Sequence, residues 1–131
     1  MSQDLDEIIE QMPPGLDRAI LDVVKFHVGK ENAISRPVML VYLRQLGFYL
    51  KDDRPMRLAI NSLRKQGIKI CSAGGTKGGY WMAANHQELE EFIKHEVEAR
   101  AYDLHEQARA MRASAEKEWG RYSPEKQISM F

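Results

Sequence analysis

Glycine and proline residues divide this chain into short segments, and their spacing constrains the fold more than any other feature. The run at 13–15 (PPG) precedes the first segment in which apolar residues recur at helical spacing. Gly29, Gly47 and Gly67 end three such segments in turn, and a glycine-rich stretch at 74–79 separates two short segments with strand character. The sequence therefore predicts three helices, from Leu16, Ser35 and Asp53 onward, followed by a β-hairpin.

Capping residues support these helix boundaries. Ser35 is predicted to cap the second helix, with Pro37 in its first turn, and Asp52 and Asp53 cap the third, with Pro55 in its first turn. The third helix has a core face at positions i, i+3, i+4 and i+7, formed by Met56, Ala59, Ile60 and Leu63. We expect the second helix to be mostly buried, because apolar residues occupy most of its faces: Val38, Leu40, Val41, Tyr42, Leu43 and Leu46.

The segment from Asn85 to Trp119 contains no glycine or proline, which predicts one long helix that Asn85 caps and Gly120 ends. Such a helix is about 50 Å long and cannot pack entirely on a small domain. Its apolar residues alternate at spacings of four and three, as in a coiled coil. We predict that it dimerises through Val97, Ala101, Leu104, Ala108 and Met111, in either parallel or antiparallel orientation. The alternative is a helix that folds back on its own domain.

The predicted organisation has four parts. Residues 1–15 form an acidic arm, 16–84 a mainly α-helical domain with a hairpin, 85–119 the long helix, and 120–131 a flexible tail without apolar periodicity.

The net charge of zero hides a strong asymmetry. Residues 30–83 carry a net charge of +7, whereas 1–29 carry −4 and 84–131 carry −3. A basic middle between acidic ends favours a local anionic partner, of which nucleic acid is the first candidate.

Several classes of function find no support in the sequence. The single cysteine, Cys71, cannot form an intrachain disulfide and belongs to no zinc-binding pattern. The four histidines share no spacing typical of metal ligands: His27, His86, His95 and His105. The sequence also shows no recognisable catalytic triad. We therefore expect a protein that is not an enzyme and needs no cofactor or metal. No apolar run could span a membrane and the start is acidic, so we expect a cytoplasmic location.

The end of the third helix reads LRKQGIKICS at 63–72, and the second strand of the hairpin reads GGYWM at 78–82. These stretches resemble the recognition helix and wing of bacterial winged-helix DNA-binding domains, of the type found in biotin-repressor-like regulators. The resemblance covers residues 16–84. It implies a winged helix-turn-helix in which the third helix enters the major groove of double-stranded DNA and the wing touches the backbone or minor groove.

The residues independently support a DNA-binding face. Arg54, Arg57, Asn61 and Arg64 recur on the third helix away from its core face, and Arg and Asn can read guanine and adenine edges. Further cations are placed to contact phosphates, on the second helix, after the third helix and at the hairpin tip: Arg36, Arg44, Lys65, Lys69 and Lys77. We expect the double variant Arg57→Ala with Arg64→Ala to abolish DNA binding. A solvated charged face is the alternative interpretation.

The last five residues are Gln127, Ile128, Ser129, Met130 and Phe131. They resemble the pentapeptide QL[SD]LF, by which bacterial replication and repair proteins bind the DNA sliding clamp. Gln127, Ser129 and Phe131 match it, and Ile128 and Met130 replace its two leucines. The resemblance implies that Met130 and Phe131 fill an apolar pocket on the clamp and that Gln127 makes hydrogen bonds beside it.

These features together predict a dimeric, non-enzymatic DNA-binding accessory protein of bacterial or phage DNA replication, tethered to the sliding clamp. Two alternatives remain open from the sequence. One is a small dimeric winged-helix transcriptional regulator, and the other is a protein-interaction adaptor that does not bind DNA.

Overall fold

Helices make up most of the chain, and a small antiparallel sheet closes one side of them. The structure is a computed structural model that describes residues 4–74 and 78–124. In chain order the elements are α1 (Leu5–Gln11), α2 (Leu16–Val24), a 3-10 turn (Lys30–Asn32), β1 (Ile34–Ser35), α3 (Arg36–Gln45), α4 (Arg54–Lys65), β2 (Ile70–Ala73), β3 (Gly79–Met82), α5 (His86–Phe92), a π-helical stretch (Ile93–Glu98) and α6 (Ala99–Trp119). The predicted mainly helical fold, with a hairpin and a long C-terminal helix, is confirmed.

The chain divides into two compact units, one up to Phe92 and one from Ile93 onward. In the first unit, α2, α3 and α4 pack with the sheet around one core. Its fully buried side chains include Ile20, Leu21, Met39, Leu43, Met56, Ile60, Leu63 and Ile70. Each such side chain contributes about 1.5–3 kcal/mol by leaving water, so this core holds α4 in place.

Residues 5–12 are part of that unit, although the sequence analysis placed them in a separate arm. They form α1, whose Ile9 is buried in the main core. Arg18 donates to the Met12 carbonyl at 3.0 Å, and Lys25 lies 3.3 Å from Asp6, so two polar contacts tie α1 to α2. The seven residues of α1 give too short a pattern to reveal this packing from sequence.

The first predicted helix ends earlier than Gly29. α2 stops at Val24, and the following residues turn so that the His27 carbonyl accepts from Met82 N at 2.7 Å. Gly29 N then donates to the Met82 carbonyl at 2.9 Å, and Gly29 adopts a φ of +90°, which favours glycine. Pairing with β3 replaces the last helical turn.

The sheet has the strand order β1-β3-β2, with both pairs antiparallel. The two strands predicted around the glycine-rich stretch are confirmed as β2 and β3. β1 was not predicted, because its two residues are too few for an alternating pattern. Gly79 in β3 faces β1 so closely that a Cβ atom would collide with the Ile34 carbonyl.

The second helix of the prediction, α3, is exposed over most of its surface, and the expectation that it is mostly buried is wrong. Within its ten residues, all described, Met39 and Leu43 are the buried ones. Val41 is 55% exposed and Tyr42 46% exposed. The sequence pattern misled because apolar residues occur around the whole helix, whereas the core contacts one face.

A second, smaller cluster lies on the other side of the hairpin, under α5. Cys71, Trp81 and Phe92 are buried there, outside the main core. Asn85 Oδ1 accepts from Glu88 N at 2.8 Å, which confirms the predicted cap of α5. The Glu88 carboxylate in turn accepts from Ala84 N and Lys30 N, at 3.2 and 3.4 Å.

The second unit comprises the π-helical stretch, α6 and the residues after it. The segment predicted as one α-helix is thus α5, a six-residue π-helical stretch and α6 in succession. No residue of α6, which is described from end to end, is buried. Among the described residues, no helix combines the length and apolar character needed to cross a membrane.

Candidate nucleic-acid interface

The helix α4 has one buried face and one exposed face. Its buried face is the predicted one, with Met56 and Leu63 inaccessible to solvent and Ala59 and Ile60 nearly so. The residues on the opposite side are exposed and are called the α4 face below: Arg54, Arg57, Leu58, Asn61, Ser62 and Lys65. Because the core fixes the buried side, the α4 face is held outward on a rigid element.

Local contacts at the start of α4 orient its first cations. Asp52 Oδ1 accepts from Arg54 N at 3.0 Å, so Asp52 caps α4 as predicted. Asp53, the other predicted cap, stands directly before α4 but its side chain makes no capping hydrogen bond. Asp53 instead forms an ion pair with Arg57, with 3.4 Å between Oδ1 and Nε. The Arg57 side chain is 56% exposed, and an exposed pair of this kind contributes about 0–1 kcal/mol. Arg57 can therefore exchange Asp53 for a phosphate or base edge at little cost.

The side chain of Arg64, which was predicted to contact DNA, packs against other parts of the first unit. Its Nε donates to the Ile70 carbonyl at 2.7 Å and its Nη2 to Ser72 Oγ at 2.9 Å. Its guanidinium lies 4.9 Å from the centre of the Phe92 ring. Arg64 thus joins α4 to β2 and α5, and we leave it out of the α4 face.

Two further cations that were predicted to contact DNA, Arg36 and Arg44, lie on α3, the helix that precedes α4, and not on the α4 face. Arg36, in the first turn of α3, lies 5.9 Å from the Tyr80 ring, and its buried Nε makes no hydrogen bond with any described residue. Arg44 is exposed and lies 5.9 Å from the Tyr49 ring.

Lys69 lies beside α1. It lines a cavity of about 300 Å³ together with Asp4, Leu5 and Ile8. The nearby carboxylate of Asp4 makes this a poor place for a phosphate contact. Lys77 and the pentapeptide 127–131 lie outside the described residues.

Two residues of the α4 face were missed by the sequence analysis. Leu58 is 57% exposed, and Ser62 is exposed one helical turn further on. Leu58 follows Arg54 by four residues, and this spacing would have placed it on the same face. A leucine there can contact a thymine methyl group, and a serine hydroxyl can reach a base or a phosphate.

The residues proposed for dimerisation are accessible. Val97 is 48% exposed, Leu104 57% and Met111 72%, while Ala101 is exposed and Ala108 half-buried. All five lie in the second unit, Val97 in the π-helical stretch and the others on α6.

Two kinds of chemical group in the described part of the chain are its candidate metal ligands and its cysteine, Cys71. No three His, Cys, Asp or Glu residues there lie close enough to hold a metal ion. Burial raises the pKa of the Cys71 thiol to about 11, with the Glu88 carboxylate adding to the effect and Arg64 opposing it. Cys71 is therefore a neutral, packed side chain at pH 7 and lacks the thiolate that a nucleophile needs.

Comparison of the chain with family models, with curated proteins and with solved structures found no match.

Proposed function

We propose that this chain is a dimeric, non-enzymatic, winged-helix protein that binds duplex DNA and serves bacterial or phage DNA replication as an accessory factor. The observation that carries the DNA-binding part is the α4 face. It presents three cations and an asparagine, and α4 has no acidic residue. In this proposal α4 lies in the major groove, where Arg and Asn read base edges and the cations of the α4 face also neutralise the phosphates on either side of the groove.

The arrangement of the first unit supports a helix-turn-helix. α3 and α4 are consecutive helices, and the hairpin β2–β3 follows them as the resemblance to winged helices requires. In a helix-turn-helix the first helix crosses the DNA backbone while the second reads bases. Arg36 and Arg44 on α3 then contact phosphates, and the hairpin tip, with Lys77, meets the backbone beside the groove.

The replication part of the proposal depends on the pentapeptide 127–131. Its resemblance to clamp-binding peptides supports a contact of Met130 and Phe131 with an apolar pocket on the sliding clamp. Linking that contact to DNA binding raises the overall affinity for a clamp on DNA, because the second contact becomes intramolecular.

The salt dependence of duplex binding tests the α4 face. The variant Arg54→Ala/Arg57→Ala/Lys65→Ala removes three cations, and Arg109→Ala/Lys117→Ala/Arg121→Ala is a control that removes three exposed cations from the second unit. The slope of log K against log[salt] is negative, and each lost phosphate contact makes it less steep by about 0.9. We expect the first variant to make the slope less steep by about two to three and the control to leave it unchanged. Equal slopes for the wild type and the α4 variant would refute the interface.

The clamp contact is tested with a labelled peptide of residues 122–131 and a purified bacterial sliding clamp, by fluorescence anisotropy. We expect saturable binding that is lost in the Met130→Ala/Phe131→Ala peptide. Absence of binding at high micromolar clamp would remove the replication role. The transcriptional regulator would then be the better interpretation, with tight binding to one palindromic site as its signature.

A second candidate function, the protein-interaction adaptor, is favoured by the exposed apolar surface of α3. An open groove of about 380 Å³ lies between α2 and α3 and is lined in part by Phe26, Tyr42 and Leu46. Phe26, Tyr42 and Leu46 are all exposed and line the same groove, and a contiguous exposed apolar patch is typical of a protein-binding surface. Absence of any salt-sensitive duplex binding would select this function.

A further inference from the structure

The apolar stripe on the second unit alternates large and small side chains in a regular way. Val97, Leu104 and Met111 are the large members, seven residues apart, and they are half to mostly exposed. Ala101, Ala108 and Ala115 are the small members, also seven residues apart. In heptad notation the large residues occupy three successive d positions and the alanines three successive a positions, with Val97 near the end of the π-helical stretch that leads into α6.

We propose that α6 pairs with α6 of a second copy in antiparallel orientation, with Leu104 packed against Ala108 of the partner copy. This inference deepens the dimer included in the proposed function and is independent of binding to DNA or to a clamp. It specifies the orientation, the register and the residue pairs of the interface.

Side-chain size selects the antiparallel orientation. In a parallel pair, a positions meet a positions and d positions meet d positions, so alanine would face alanine and Leu104 would face Leu104. Three layers would then be nearly empty and three crowded. In an antiparallel pair, a positions meet d positions, so every large side chain faces an alanine. Layers of equal volume pack at the density of a protein interior without voids.

A single register satisfies all the layers at once. When Leu104 faces Ala108, Met111 faces Ala101 and Val97 faces Ala115. Each of these pairs is centred on position 106, so one two-fold axis that crosses the seam at the level of Glu106 relates the two copies. A closed two-fold interface of this kind uses the same surface on both copies and leaves no part of the stripe uncovered.

Charged residues beside the stripe favour the same register. Glu98 and Arg112 flank it, both exposed, and the register brings Glu98 of each copy next to Arg112 of the other. The parallel pair would instead place Arg100 beside His105 and would leave Glu98 beside Ile93. Antiparallel pairing thus gains two ion pairs, each between Glu98 of one copy and Arg112 of the other, one on each side of the axis.

The substitution Ala108→Leu distinguishes the orientations by the sign of its effect. In the antiparallel register it opposes leucine to Leu104 in two symmetric layers, and this overpacking raises the dimer dissociation constant about tenfold or more. In a parallel pair it would fill an empty layer and lower the dissociation constant. Sedimentation equilibrium of the full chain without DNA measures either change. Circular dichroism verifies that α6 remains helical, as expected because leucine is a strong helix former.

Exchange of charges tests the register. Glu98→Arg is expected to weaken the dimer severalfold and the double variant Glu98→Arg/Arg112→Glu to restore it. Glu116→Arg, at an exposed position outside the stripe and its flanks, is the control and is expected to have little effect. A wild-type chain that stays monomeric at high micromolar concentration, a tighter Ala108→Leu dimer, or failure of the double variant to recover would each overturn the proposal. A wild-type chain that dimerises but binds neither DNA nor the clamp would overturn the proposed function and leave this inference intact.

Discussion

Replacement of Arg64 by alanine should destabilise the first unit without removing a DNA contact. The side chain donates two hydrogen bonds from a charged group, to the Ile70 carbonyl and to Ser72 Oγ, and its guanidinium lies over Phe92. A hydrogen bond from a charged group contributes about 1.5–3 kcal/mol and a cation–π contact about 0.5–1 kcal/mol. Because Arg64 is only half-buried, we take the lower ends, which gives a loss of about 3–4 kcal/mol in the free energy of unfolding.

Urea denaturation followed by tryptophan fluorescence measures this loss. Trp81 is 4% exposed and reports on the first unit. Trp119 is 79% exposed, and a Trp119→Phe substitution in the wild type and in every variant measured removes its fluorescence. Arg57→Ala is the matched control, because its exposed ion pair contributes at most about 1 kcal/mol. Arg64→Lys keeps the charge over Phe92 but lacks the planar fork that reaches both acceptors, so an intermediate loss is expected.

DNA binding by the folded variant completes the test. We expect Arg64→Ala, under conditions where it is folded, to keep the wild-type dependence of duplex binding on salt. Arg57→Ala is expected to make that dependence less steep. If Arg64→Ala unfolds with the wild-type free energy and loses duplex binding, then the assignment of Arg64 to the packing of α4, β2 and α5 is refuted.

Three further predictions concern the first unit. Gly79→Ala should lower the free energy of unfolding by about 2 kcal/mol or more in urea denaturation, because its Cβ would collide with the Ile34 carbonyl, whereas Gly74→Ala, with open space around it, should cost little. The buried thiol of Cys71 keeps a pKa of about 11 against an ordinary value of 9.0, so the stability it contributes is complete below pH 9 and is lost as the pH rises toward 11. The unfolding free energy of the wild type should thus fall more steeply over that range than that of Cys71→Ala, and parallel curves would contradict the assignment. Asn85→Ala should cost about 1 kcal/mol and Asn85→Asp much less, as measured by thermal unfolding, since aspartate preserves the helix cap.

Much of the local structure of this protein follows from its sequence. Gly47 and Gly67 have φ values of +97° and +94°, and each follows the end of a helix, as the sequence analysis predicted. Ser35 Oγ accepts from Val38 N, as its position before Pro37 predicts. These features depend on neighbouring residues alone, so the sequence contains all the information needed to find them.

The candidate site was predictable only in part. Arg54, Arg57, Asn61 and Lys65 lie on the exposed side of α4 because helical spacing sets them opposite the core residues. Arg64 is at the same spacing, but the direction of its side chain depends on contacts with two other elements. It donates hydrogen bonds to β2 and lies over Phe92 of α5. A helical wheel cannot show that a cation at the edge of a face bends toward a strand formed later in the chain.

Tertiary structure alone decided the remaining features. β1 exists because Ile34 and Ser35 pair with β3, and the first predicted helix gives up its last turn because His27 and Gly29 pair with Met82. α1 joins the core because Ile9 finds an apolar surface there, and α3 leaves Val41 exposed because the core covers one side of it. In each case the partner is distant in sequence, and the energy of burial or pairing exceeds the local preference. By itself, the sequence determined where α2, α3 and α4 begin, where α3, α4 and α6 end, and which side of α4 faces outward. Contacts between distant segments determined which of those surfaces remain exposed, because burial is a property of the assembled fold.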